Sequence, residues 1–192
     1  MNLGQVWLLG LINPPRAFEE LKSKPAPMWG LWAVLIRFVA TSLTTTLALY
    51  LLGRLPFEPS RLTFLATEEY YAAEIFFLPL FGLAVWLLAG AVVHVILRLA
   101  ARVTNFDKIL NVIGMGMLIP MPVVWLWDWI AIALNWYQLA VMAVSHSVFA
   151  LWGVILYSVG FKKILGLRTL PAIGLALVIT GIYISLASLF IR

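Results

Sequence analysis

The most regular feature of this chain is a series of five long apolar runs separated by short polar segments. They cover residues 28–52, 75–97, 109–134, 139–160 and 170–191. Each run is long enough for a membrane-spanning helix, which needs about 20 mostly apolar residues to cross the hydrocarbon core of a bilayer. We therefore predict an all-α polytopic membrane protein built as a bundle of five transmembrane helices.

The residues before the first run form a separate pattern. Leu3–Ile12 is apolar but too short to span, and it has neither a basic segment before it nor a small-residue cleavage site, so a cleaved signal peptide is not predicted. Pro15 suits the first turn of a second helix. We predict two short interfacial helices on the cytoplasmic leaflet, with a flexible tail as the alternative. The predicted domains are a juxtamembrane segment, 1–27, and a transmembrane domain, 28–192.

Composition supports a membrane protein. The chain is 64% hydrophobic and 11% charged, which is too apolar for a soluble domain of 192 residues. Its basic residues stand at the predicted helix ends, where they meet anionic lipid headgroups, so the net charge of +5 does not indicate nucleic-acid binding. The expected partners are the lipid bilayer and either a second copy of the chain or another membrane protein. The absence of cysteine excludes disulfides and cysteine-ligated metals.

The basic residues also predict the topology. Nine of the thirteen lysines and arginines fall on one side of the five predicted spans: Arg16, Lys22, Lys24, Arg98, Arg102, Lys108, Lys162, Lys163 and Arg168. The other side has only Arg54, Arg61 and Arg192. Because basic loops are retained in the cytoplasm, we expect a cytoplasmic N-terminus and an external C-terminus.

The loop at 53–74 is the longest and faces outward in this topology. Glu68, Glu69 and Glu74 make its second half acidic, and we expect a solvated loop. Membrane-embedded CAAX-type proteases also carry adjacent glutamates, but an arginine follows three residues later. This chain has Ala72 at that position, so a protease is not predicted.

Two polar residues in the third and fourth runs are predicted to lie at the same depth. Asp128 is about 9 Å from the outer end of its span and His146 about 10 Å from the outer start of the next. Spans joined by a short connection are antiparallel neighbours, so a carboxylate–imidazole pair is expected. The alternative is that Asp128, which stands among tryptophans, lies at the headgroup level and is solvated. Two histidines without a second acidic residue do not indicate a metal site.

Arg37 and His94 complete the candidate intramembrane polar residues. Arg37 is about 14 Å inside the first run. Its side chain either extends back to the inner surface or faces the bundle and bonds Asn111, Thr41 or freed carbonyl groups. His94 is close to the inner end of the second run, where we expect it beside Arg98 near the headgroups.

Glycine, proline and hydroxyl residues indicate how the spans pack. The second and third runs contain glycines that permit close helix approach: Gly82, Gly90, Gly114 and Gly116. Pro120 and Pro122 are expected to kink the third run and free carbonyl groups that need partners. The first run has five hydroxyl side chains between Thr41 and Thr46, which can bond back to their own helix or across to a neighbour.

Two stretches of the chain resemble the bacterial branch of the Yip1-domain family. The residues that carry the resemblance are Asn13-Pro14-Pro15-Arg16-Ala17-Phe18, Lys24-Pro25, Gly90-Ala91-Val92-Val93-His94, Asn105-Phe106, Asn111-Val112 and Pro120. The resemblance implies five spans with a cytoplasmic N-terminus and residence in a bacterial inner membrane. Eukaryotic members are implicated in membrane trafficking and contact small GTPases, but their Gly-Pro-bearing cytosolic motif is absent here, so GTPase binding is not implied.

Two functions of different classes remain open. The first is a non-enzymatic membrane scaffold, or membrane-organising protein of the trafficking type, whose interfacial helices insert in one leaflet. The second is a small transporter or channel subunit that uses Arg37, Asp128 and His146. An enzyme is not predicted, because the chain has no glutamate–histidine metal motif and no glycine-flanked serine. We accordingly predict no catalytic residue, no cofactor and no metal.

Overall fold

A computed structural model describes residues 1–23, 28–59 and 64–191, and these are organised almost entirely as helices. The α-helices are α1 (Leu3–Ile12), α2 (Pro14–Lys22), α3 (Met28–Thr41), α4 (Leu47–Leu51), α5 (Tyr70–Leu99), α6 (Phe106–Leu118), α7 (Met121–Ala133), α8 (Leu139–Leu165) and α9 (Thr169–Phe190). Lys24, Pro25, Arg61 and Arg192, on which parts of the sequence analysis rest, lie outside the described residues.

Five helical segments are long and apolar enough to cross a membrane, which confirms the predicted all-α five-span bundle. They are Met28–Leu51, Thr67–Leu99, Phe106–Ala133, Leu139–Leu165 and Thr169–Phe190. Because each span crosses to the other side, the loops alternate between two opposite sides of the bundle. The side that carries Lys22, Arg98 and Lys162 is called the basic side below, and the other the far side.

The third span is the centre of the bundle. Every residue from 109 to 121 is buried, because α3, α5 and α8 all pack against α6, while α9 packs against α5 and α8. The closest of these approaches joins the first and third spans. A Cβ atom at Gly114 would overlap the backbone of Gly30, and the Gly30 N–H donates to Asn111 Oδ1 over 2.7 Å.

The predicted interruption of the third span is present between Leu118 and Met121. Because Pro122 has no N–H, the carbonyl oxygen of Leu118 lacks its usual helical donor. The indole Nε1–H of Trp7 donates to this oxygen over 3.0 Å. The freed carbonyl was expected to need a partner, and a side chain of the N-terminal segment provides it.

The two predicted N-terminal helices form, but α1 does not lie apart from the bundle on a membrane surface. Val6 and Gly10 are buried, a Cβ atom at Gly10 would overlap the side chain of Ile119, and the rings of Trp7 and Trp125 meet edge to face at 6.4 Å. These contacts lie at the middle of the third span. A helix that is apolar on nearly every side gains more from this packing than from contact with headgroups.

Helix α2 is amphipathic and lies at the basic end of α8. The Asn13 side chain caps it by accepting from the Arg16 N–H over 3.2 Å. Phe18 is buried and packs against Gly160, where a Cβ atom would overlap its ring. Glu19 and Lys163 form an exposed ion pair with 3.7 Å between Oε2 and Nζ, and such pairs contribute about 0–1 kcal/mol. The apolar face of α2 therefore provides most of its attachment.

The first span contains a π-helical turn at Ser42–Thr46, between α3 and α4. As predicted, hydroxyls bond back to their own helix: Thr41, Ser42 and Thr44 donate to the carbonyls of Arg37, Phe38 and Ala40. Such bonds compete with backbone donors and loosen the regular ladder. Isolated π turns are frequent at functional sites, and this one faces the polar cluster described next.

Candidate functional site

The far half of the bundle holds a cluster of polar side chains around two adjoining cavities. The larger cavity has a volume of about 480 Å³ and the smaller about 140 Å³. Arg37, His146 and Tyr183 line both. The structure thus brings together three of the four sequence-predicted polar residues, since Asp128 lines the smaller cavity.

Asp128 and His146 are in contact. His146 Nε2 lies 3.5 Å from Asp128 Oδ1, and Asp128 is only 4% exposed, so the alternative of a solvated carboxylate does not fit. His146 Nδ1 lies 3.1 Å from the Met142 carbonyl oxygen. Because a carbonyl only accepts, we assign a proton to Nδ1. The contact between His146 Nε2 and Asp128 Oδ1 is then attractive only if a second proton lies between them, either on Nε2 or on the carboxyl group.

Arg37 faces the bundle and reaches toward the far side. Its Nη2 donates to the Tyr183 hydroxyl over 3.0 Å, and its guanidinium carbon lies 4.9 Å from the centre of the Tyr183 ring. Among the described residues the Arg37 side chain bonds to none of the expected partners. Thr41 Oγ1 accepts from Trp125 Nε1, the Asn111 oxygen accepts from the Gly30 N–H, and the freed Leu118 carbonyl accepts from Trp7. Arg37 belongs to neither ion pair found between described residues.

Glu74 is a residue that the sequence analysis placed incorrectly. It was expected in a solvated loop, but α5 begins at Tyr70, and Glu74 is 2% exposed on the wall of the smaller cavity. The spacing of Glu74, Leu78 and Gly82 is the sequence signal for this placement. Positions four residues apart share one face of a helix, and Leu78 and Gly82 are buried on that face.

The connection between the third and fourth spans closes the cluster on the far side. Tyr137 lines the smaller cavity and stacks on Phe57 with 5.3 Å between ring centres. Burial, reinforced by the nearby Asp128 carboxylate, raises the pKa of Tyr137 well above its usual range. The phenol therefore stays protonated and remains a hydrogen-bond donor. Arg54 donates to Asn135 and ties the first loop to the same connection.

His94 is separate from this cluster. Its Nδ1 lies 3.0 Å from Thr104 Oγ1, and its ring meets Phe106 edge to face at 5.5 Å. These contacts hold the short second loop against the basic end of α5, which is a structural role. Within the described ranges, no group of three or more His, Asp or Glu side chains is arranged to hold a metal ion.

A comparison with protein-family models agrees with this architecture. The model of the Yip1 domain matches residues 9–190, which is nearly the whole chain. No curated protein and no solved structure matches the chain. The match extends from α1 to the end of α9 and includes all five spans. The chain therefore belongs to the Yip1 family of integral membrane proteins.

Proposed function

We propose that this protein is a non-enzymatic membrane scaffold that shapes or organises the bilayer around it. The observation that supports the proposal best is the docking of amphipathic α2 beside the basic end of α8, through Phe18 and Gly160. Because the apolar face of α2 packs on the bundle, the helix is proposed to widen the protein at the level of one leaflet. A protein that is wider in one leaflet than in the other favours a curved membrane.

The two sides of the bundle differ in a way that fits this role. On the basic side α2 packs against α8 and adds to the cross-section of the protein, whereas the larger cavity lies in the far half. The protein is therefore proposed to be broader in the leaflet that contains α2. With basic loops retained inside, this is the cytoplasmic leaflet of a bacterial plasma membrane, and the C-terminus is external. A second copy or another membrane protein is the proposed protein partner.

Reconstitution at increasing protein density tests the scaffold. We expect vesicle diameters, measured by electron cryomicroscopy, to decrease as the ratio of protein to lipid rises. Phe18→Ser removes the buried contact of α2 and should weaken this dependence. Lys22→Ser, on the exposed face of the same helix, is the matched control and should behave as the wild type. Wild-type vesicles whose diameter does not depend on protein density would contradict the proposal.

A small transporter or channel subunit is the second candidate, because Arg37, Asp128 and His146 converge on adjoining cavities within the spans. Ionisable residues inside a membrane commonly mark ion or substrate pathways. The test is solute and ion flux through the purified protein in vesicles.

A further inference from the structure

The larger cavity is a groove between α8 and α9 in the far half of the bundle. Its floor is formed by Gly116 and Met117 of the third span, and small residues of α8, among them Ala150 and Gly153, make room for it. Its volume of about 480 Å³ falls within the range of about 300–1,000 Å³ that is usual for small-molecule sites.

The groove opens toward the lipid. Ala143, Ser147, Ile184 and Ser188 line it and are themselves exposed. All four residues belong to the fourth and fifth candidate spans, so the opening lies within the depth of the bilayer. A molecule that enters by this route comes from the membrane.

Arg37 gives the groove wall a positive charge. Its guanidinium lies over the rings of Phe38 and Tyr183, but it forms no ion pair with a carboxylate of the described residues. A guanidinium group has five N–H donors, and in the described part of the chain Arg37 uses one of them, toward the neutral Tyr183 hydroxyl. The Asp128 carboxylate is directed at His146 instead, and no ion pair between described residues joins Arg37 to Glu74, although both line the smaller cavity. An arginine inside a span is stabilised by an opposite charge, and the groove beside it gives such a charge a place to bind.

A second polar group supports an anionic occupant. Thr180 Oγ1 is buried and has no hydrogen-bond partner among the described residues, although Thr180 lines the groove. Thr180 and Tyr183 are three residues apart on α9 and therefore lie on one face. Both residues line the same groove as Arg37, and the Tyr183 hydroxyl is in contact with the guanidinium. Elsewhere the wall is largely apolar, with Met117, Phe149 and Ile184.

We propose that the groove binds an anionic single-chain amphiphile from the membrane. Its carboxylate or phosphate group is held by Arg37, with Tyr183 and Thr180 beside it, and its alkyl chain lies along Phe149 and Ala150. Arginine is suited to both acidic groups because its planar fork bonds two oxygens at once. The proposal is independent of the scaffold role.

Binding to the purified full-length chain in phosphatidylcholine nanodiscs tests the proposal. The probes are radiolabelled palmitate, 1-palmitoyl lysophosphatidate, hexadecanol as the neutral analogue, and inorganic phosphate as the anion without a chain. We expect both acidic amphiphiles to bind, hexadecanol to bind at least about tenfold more weakly, and inorganic phosphate not to compete. Competition by inorganic phosphate, or equal binding of hexadecanol and palmitate, would overturn the assignment.

Variants test the charge and the groove separately. Arg37→Gln should weaken palmitate binding at least about tenfold and leave hexadecanol binding unchanged. Arg37→Lys keeps the charge and should retain most of the affinity for palmitate. Ala150→Leu keeps Arg37 but fills the groove, so both probes should bind less. Val148→Leu, an exposed position on the same helix, is its control and should bind as the wild type. Unchanged palmitate binding in Arg37→Gln, or in Ala150→Leu, would refute the proposal.

Discussion

The indole N–H of Trp7 hydrogen-bonds the Leu118 carbonyl at 3.0 Å, the oxygen that Pro122 leaves without a helical donor. The two residues are 111 positions apart in the sequence. A buried carbonyl without a partner costs about 1–3 kcal/mol, and in hydrocarbon no water replaces the missing donor. The N-terminal helix thus stabilises the point at which the central span is interrupted.

A double-mutant cycle tests this relationship. Trp7→Phe keeps an aromatic ring against Trp125 but removes the N–H, so we expect a loss of about 1–3 kcal/mol in unfolding free energy in detergent. Pro122→Ala returns a backbone N–H to Leu118. In that background Trp7→Phe should cost clearly less, and an equal loss in both backgrounds would show that the hydrogen bond is not the source of the stability.

The Asp128–His146 contact is tested by substitutions of graded severity. Asp128→Asn provides an amide N–H that can donate to His146 Nε2, so we expect it to be tolerated. Asp128→Leu removes both charge and hydrogen bonding and should destabilise the fold by about 1–3 kcal/mol. Combining Asp128→Leu with His146→Leu should restore part of the loss. Thermal unfolding measures the stability of all three variants. If none of them differs from the wild type, Asp128 is solvated.

The same Asp128→Asn variant separates the two candidate functions. A scaffold predicts no solute or ion flux through reconstituted wild-type protein. A transporter predicts pH-dependent flux that Asp128→Asn abolishes while thermal stability is unchanged. Robust flux with this behaviour would contradict the scaffold function and support the transporter or channel function.

Replacing glycine by alanine is expected to change the unfolding free energy very differently at packed and at unpacked positions. Gly114→Ala forces a methyl group into the backbone of Gly30 and should lower the unfolding free energy by about 1–3 kcal/mol. Gly174→Ala is the matched control, since a Cβ atom there meets nothing within 4 Å. Alanine is also the better helix former. Similar unfolding temperatures for the two variants would mean that the first and third spans are not packed at this crossing.

Topology can be mapped with single cysteines, because the natural chain has none. Ser23→Cys, Lys108→Cys and Lys163→Cys should be protected from an impermeant thiol reagent added to intact cells. Glu58→Cys and Gln138→Cys should react. Labelling of both sets from the same side would contradict the proposed orientation.

The spans were predictable because a helix in lipid must satisfy its own backbone and present apolar side chains along about 20 residues. The match in depth between Asp128 and His146 followed from the rise per residue along two antiparallel helices. The partner of Arg37 did not follow, because its long side chain reaches Tyr183 well away from its own Cα atom. Glu74 was wrongly predicted to lie in a loop because α5 extends past the apolar run into polar residues.

The packing of α1 could not be predicted from the sequence, for a different reason. Length and polarity indicate that Leu3–Ile12 is too short to span, but they do not specify which surface covers it. That choice depends on a single carbonyl oxygen freed by Pro122 and on the space beside Ile119 and Gly10. Both arise only when the third span is folded.

The contact between α1 and the third span also fixes an order of events during synthesis. Trp7 leaves the ribosome more than a hundred residues before the Leu118 carbonyl to which it binds. Until residue 122 has been inserted, the apolar α1 has no docking surface and must rest against lipid. Helix α1 can therefore reach its place only after the third span has been inserted, although it is made before that span.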